Sequence, residues 1–154
     1  MNGIIIEYFM DEIQQCDLDI FKAEIGNHQF QQLWEVLATL VGLRLWQQFW
    51  MQKRVRLSMK SDNMTALECI ATLKLKVGSP YALIARELAL TFADGEYAPD
   101  ICAHIPGVAN DIADKLSRFM QPGKTFVLPH ELNNAKRVPP PSRTQMWYRA
   151  ISPS

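Results

Sequence analysis

"HIPGVANDIADKLSR" (residues 104–118) is the stretch on which the reading of this chain turns. A short apolar run, "PDICAHI" (99–105), has the composition of a strand and stops at the Pro106-Gly107 corner. A helix then opens, with Asn110 suited to cap it and Asp111 and Asp114 crowded into its first turn. Ordinary capping accounts for each of these residues alone. Whether the carboxylates are aimed at something depends on what the rest of the chain places near them.

Working outward, "RVRLSMK" (54–60) alternates strictly, with Val55, Leu57 and Met59 on one face and Arg54, Arg56, Ser58 and Lys60 on the other. That is the pattern of a half-buried strand. "SDN" breaks it at Asp62 and Asn63, and "MTALECIATLKLK" continues as a helix to Gly78. Ser79 and Pro80 then open another helix, cap followed by first-turn proline, which runs to Gly95. Upstream, "FQQLWEVLATLVGLRLWQQFW" (30–50) is a long helix, apolar around most of its circumference and so largely buried. "DEIQQCDLDIFKAEIGNH" before it reads as an irregular connection with a helical turn. "NGIIIEYFM" (2–10) reads as a strand introduced by Asn2-Gly3, a hairpin signal with only Met1 ahead of it. The expectation is a chain that starts part-way through a sheet. Strands alternating with helices make the class α/β.

The 154 residues are 48% hydrophobic, enough for one core, and the net charge is zero. The charge is unevenly spread. Residues 1–43 are acidic with Lys22 as their one base, whereas Arg44, Lys53, Arg54, Arg56 and Lys60 follow with no acid among them. From Lys115 onward Glu131 is the sole acid. Such asymmetry is compatible with a polyanion meeting one side of the domain, or with solvated faces that happen to cluster. Cys16, Cys69 and Cys102 are scattered and odd in number, which argues against a disulfide framework or zinc site and fits a reducing compartment. With no signal peptide and no long apolar span, the expectation is an intracellular protein, cytoplasmic or nuclear, without a membrane partner. Beyond Met120, six of the nine prolines fall in a stretch of little periodicity. This divides the chain into a domain over 1–120 and a Pro-rich tail or linker over 121–154.

Three carboxylates sit at the ends of elements. Glu35 lies in the first turns of its helix, in line with the small residues Ala38, Thr39 and Gly42, a stripe that could pack closely on a sheet or leave Glu35 at a solvent edge. Asp62 follows a strand, and Asp114 follows the next strand-and-corner unit. Parallel strands present their carboxyl ends on one edge, where α/β folds build sites, so these groups could converge there. Hard oxygen donors without cysteine or convergent histidine suit Mg²⁺ or Mn²⁺. A carboxylate cluster bordered by basic residues is what two-metal phosphodiester hydrolysis requires.

These segments together resemble the ribonuclease H domain of retroelement polyproteins. "HIPGVANDIADKLSR" is similar to that family's closing motif, "RLSMKSDNMTALECI" to its strand-Asp-helix segment and "QQLWEVLATLVGLRLW" to its Glu-bearing helix, over roughly residues 2–120. The resemblance is to a reverse-transcriptase-linked domain of gypsy- or DIRS-type elements, and "IARELAL" and "PPPSRTQMWYRA" are reminiscent of the DIRS type. The resemblance implies a ribonuclease H-like mixed sheet flanked by helices, here lacking its first two strands. It implies hydrolysis of the RNA strand of RNA–DNA hybrids with two Mg²⁺ ions (Mn²⁺ also serving), and Glu35, Asp62 and Asp114 as catalytic metal ligands. Asn63 and Asn110 are the implied substrate-side polar residues, and an upstream reverse transcriptase domain the implied neighbour. The family's first Asp has no counterpart here, since Asp11 and Asp17 match no motif, so the chain alone is expected to be impaired as a nuclease. His28, His104 and His130 take no role. The alternatives are a non-catalytic module that binds or tethers nucleic acid, and a decayed fragment without independent function.

Overall fold

The computed structural model describes residues 5–50, 57–61, 80–95, 99–104 and 111–149. In chain order the elements are β1 (Glu7–Tyr8), α1 (Gln15–Phe21), α2 (Gln31–Trp46), β2 (Leu57–Ser61), α3 (Pro80–Gly95), β3 (Pro99–His104), α4 (Asp111–Ser117) and β4 (Lys136–Arg137). Short 3-10 turns lie at His28–Phe30, Gln47–Phe49 and His130–Leu132. Helices combine with parallel strand pairs, as an α/β chain requires. The chain forms two compact units: Ile13–His104 with Pro141–Ser154, and Met1–Glu12 with Ile105–Pro140.

In the first of these, α2 and α3 pack on each other. Leu33, Val36, Leu37, Leu40, Val41 and Leu43 are buried on α2, and Ala82, Ile84, Ala85, Leu88 and Phe92 on α3. Each leucine taken fully out of water contributes about 1.5–3 kcal/mol. The long apolar helix read from residues 30–50 is present, ending at Trp46 before its 3-10 turn. Its packing face differs from expectation. Of the small-residue stripe Gly42 is buried, but Ala38 is exposed and Thr39 half-buried, so the branched aliphatic residues supply most of the buried face. Branched chains remove more apolar area per turn, which decides the orientation.

The helix α1 replaces much of the irregular connection read over 11–28. Its third residue, Asp17, accepts a hydrogen bond from the Gln14 backbone N–H at 2.8 Å, satisfying a donor that the first turn leaves open. The helix ends at Lys22, whose φ of 51° places it in the left-handed region usually taken by glycine.

Strands β2 and β3 are parallel neighbours, in register from Ser58↔Ile101 to Ser61↔His104, with an irregularity between Leu57 and Ser58. Both strands read from the sequence are therefore present and lie side by side. The helix read over 64–76 lies outside the described residues.

In the second unit, β1 pairs in parallel with β4, Glu7 with Lys136 and Tyr8 with Arg137. The bonds run from Lys136 N–H to Ile6 O and from Val138 N–H to Tyr8 O, each 2.9 Å. Of the strand read over residues 2–10, Glu7 and Tyr8 are the paired residues among those described. Their partner comes from a segment whose composition suggested a tail. Leu132 and Met10 are buried in this unit, and Phe119 meets Phe126 edge to face at 6.4 Å.

The Pro-rich stretch 121–154 is thus divided between the two units. Residues up to Pro140 belong with β1, and the described residues 141–149 lie among the helices of the α2–α3 unit. Side-chain anchors hold the latter, a feature that proline content does not reveal.

Candidate functional site

Of the residues singled out from the sequence, Asp62, Asn63 and Asn110 lie outside the described residues. Asp62 directly follows Ser61, the last residue of β2, and Ser61 is paired with His104, the last residue of β3. The carboxyl ends of the two strands thus share one edge of the pair, as the motif spacing implied. Glu35 is half-buried on α2, its backbone carbonyl accepting a 3.3 Å bond from the Thr39 hydroxyl.

Asp114 lies on α4, in the other compact unit. Its carboxylate pairs with Arg118 at 3.1 Å, and Asp111 pairs with Lys115 at 2.8 Å, both one helical turn apart and both open to water. The Asp111 carboxylate, by hydrogen bond and by charge, raises the Lys115 ammonium above its ordinary range. An open groove of about 330 Å³ runs beside these pairs, with Gln121, Lys124 and Phe126 on its far wall. His28 and His130 sit exposed on 3-10 turns.

A magnesium site built by Glu35, Asp62 and Asp114 needs all three carboxylates around one ion. Among the described residues, no three groups of His, Cys, Asp or Glu stand close enough to hold a metal. Glu35 and Asp114 belong to separate units. Asp62, the third carboxylate of that set, lies outside the described residues.

The most elaborate polar arrangement among the described residues lies elsewhere, at positions that the sequence pattern does not mark. On α1, the Asp17 carboxylate is fully buried and receives the Arg143 guanidinium in fork geometry, Nε at 2.7 Å and Nη2 at 2.8 Å. The Tyr148 hydroxyl donates to the same carboxylate at 2.5 Å. Burial first, and then that hydrogen bond, push the phenol far above its ordinary titration range. A second pair joins α2 to α3. Arg44 meets the buried Glu87 carboxylate at 2.5 Å and also donates to the Thr91 hydroxyl at 3.0 Å and the Trp147 carbonyl at 2.7 Å. Its guanidinium lies 4.4 Å from the centre of the Trp147 ring. The Arg149 backbone N–H donates to Glu87 at 3.0 Å, and its side chain pairs with Asp94. The available signal was compositional: two arginines bracketing a Trp-Tyr pair in a stretch otherwise poor in apolar residues.

Compared with protein-family models, with curated proteins and with solved structures, the chain gives no match. Among the described residues no helix is long and apolar enough to cross a membrane.

Proposed function

We propose that this chain is a ribonuclease H-like domain of retroelement origin that engages RNA–DNA hybrids, with Glu35, Asp62 and Asp114 as its Mg²⁺-binding carboxylates. Asn63 and Asn110 serve on the substrate side, and a reverse transcriptase domain is the natural polyprotein neighbour. Hydrolysis by these 154 residues is weak, because the family's first Asp has no counterpart among them. One observation carries the reading. Strands β2 and β3 run parallel and in register to their last residues, and each is followed in sequence by an acidic segment of the resembling motif.

A second reading has its own support. Lys115, Arg118, Lys124, Lys136 and Arg137 are all exposed in the unit that holds α4, so hybrid binding can outlast the loss of catalysis. The deciding experiment titrates labelled RNA–DNA hybrid and duplex DNA of the same sequence, with and without Mg²⁺, against the wild type and Asp62→Asn. Preference for the hybrid, strengthened by Mg²⁺ in the wild type alone and accompanied by little cleavage, is the expected result. Salt-dependent binding that survives replacement of all three carboxylates and ignores Mg²⁺ selects the non-catalytic module. No preference for the hybrid removes the ribonuclease H assignment.

A further inference from the structure

Residues 141–149 have no helix or strand, yet their main chain is read at four points by side chains of the helical unit. Gln14 Nε2 donates to the Pro141 carbonyl at 3.2 Å, and Gln14 Oε1 accepts from the Arg143 N–H at 2.6 Å. Arg44 binds the Trp147 carbonyl and Glu87 the Arg149 N–H. Two side chains then anchor the segment: Arg143 on Asp17, and Tyr148 between Asp17 and the edge of Phe21, whose ring centre is 5.5 Å away. Thr144, Gln145 and Met146, between the anchors, face water, as does Ser142 before them, and the Trp147 N–H closes a turn on the Thr144 carbonyl at 3.0 Å.

At these points the segment's main chain is satisfied by side chains of the helical unit and not by helix or strand pairing, so it is held as an extended peptide is held in a site built for it. The charges point the same way. A buried ion pair contributes little net attraction, because both partners lose their hydration, so releasing the segment returns Asp17 and Arg143 to water together while the Arg44–Glu87 pair still joins α2 to α3. Breaking a pair within one rigid core offers no such compensation.

We infer that α1, α2 and α3 form a peptide-docking cleft selective for a basic and aromatic segment, and that residues 141–149 occupy it in cis as a releasable latch. Specificity resides in Asp17, which selects an arginine followed five residues later by tyrosine, and Glu87 holds the main chain beyond them. Docking in cis is favoured because the tether keeps the segment at high local concentration.

Native-state hydrogen exchange on the full chain tests this without any substitution. The amides of Arg143, Trp147 and Arg149 are expected to open with protection at least about tenfold below that of mid-helix amides in α2 and α3. Opening of all these amides in one cooperative event, at equal protection, overturns the latch. A labelled nine-residue peptide of sequence 141–149 supplies the second arm. It is expected to bind full-length Arg143→Ala at least about tenfold more tightly than the wild type, whose own segment competes. Equal or absent binding to both proteins overturns the cleft, and exchange of segments between isotopically distinct copies overturns cis occupancy. None of these readouts depends on nuclease activity or nucleic acid.

Discussion

Replacing Arg143 by alanine tests the most demanding feature of the helical unit. The Asp17 carboxylate receives at least four hydrogen bonds, from Arg143 Nε and Nη2, the Tyr148 hydroxyl and the Gln14 backbone N–H. The substitution removes the two that carry opposite charge, each worth about 1.5–3 kcal/mol, and leaves a fully buried carboxylate half satisfied. Breaking a buried pair from one side costs about 3–5 kcal/mol when the remaining charge stays dry. A segment able to leave lets water reach Asp17, which holds the loss to about 3 kcal/mol, the low end of that range. Asp17→Asn releases the same segment and is expected to cost the same. The double variant then costs no more than either single one, a coupling of about 3 kcal/mol in a cycle of urea titrations followed by far-ultraviolet circular dichroism. Single losses below about 1 kcal/mol, or losses that add in the double variant, refute the reasoning.

Tyr148 gives a pH prediction with a definite sign. The native phenol keeps its proton where the unfolded one, with an ordinary pKa near 10, releases it. Stability is therefore whole below about pH 10 and falls above it by up to about 1.4 kcal/mol per pH unit. Urea midpoints measured at about pH 9 and about pH 11 should show this excess slope in the wild type and lose it in Tyr148→Phe. In the α2–α3 interface, Leu40→Ala should cost about 2–5 kcal/mol by the same titration, while Ala38→Ser on the exposed side stays within about 0.5 kcal/mol. Asp114→Ala, which loses a water-exposed ion pair with Arg118, should change the melting temperature little yet abolish the Mg²⁺ enhancement of hybrid binding. Lys22→Gly relieves a left-handed backbone at an exposed helix end and should stabilise by up to about 1 kcal/mol, read from the urea midpoint.

What could be read from the sequence followed local periodicity. The alternation of residues 54–60 and the short run 99–105 marked strands that the structure places side by side. The apolar girth of residues 30–50 and the proline at residue 80 marked α2 and the start of α3. Periodicity was silent wherever the partner is distant. Glu7 and Tyr8 pair with Lys136 and Arg137, and Asp17 pairs with Arg143, across separations at which no pattern in either segment names the other. Proline content also misled in a specific way. Pro139, Pro140 and Pro141 do break helix and strand, but a chain without secondary structure can still be fixed when side chains supply its hydrogen bonds. Small side chains on α2 suggested a packing face that Val36, Leu40 and Leu43 occupy instead, because burial follows apolar area. The carboxylates Glu35, Asp62 and Asp114 were legible as acids at element ends, and their convergence remains a matter for the hybrid-binding experiment.

The buried charges around residues 141–149 also explain why the segment docks in one register. Arg143 and Tyr148 reach a single carboxylate from positions five apart, which the turn from Thr144 to Trp147 makes possible. A slip of one residue in one direction offers Asp17 a serine and an indole, Ser142 and Trp147. A slip in the other offers Thr144 and Arg149. Either slip puts a single hydroxyl where the Arg143 fork meets the fully buried Asp17, and takes the phenol from its place against Phe21. An apolar cleft would hold a Pro-rich segment as firmly but accept it in several registers. Asp17 adds little to affinity and sets the register, whereas Glu87 takes a main-chain N–H that any residue there supplies.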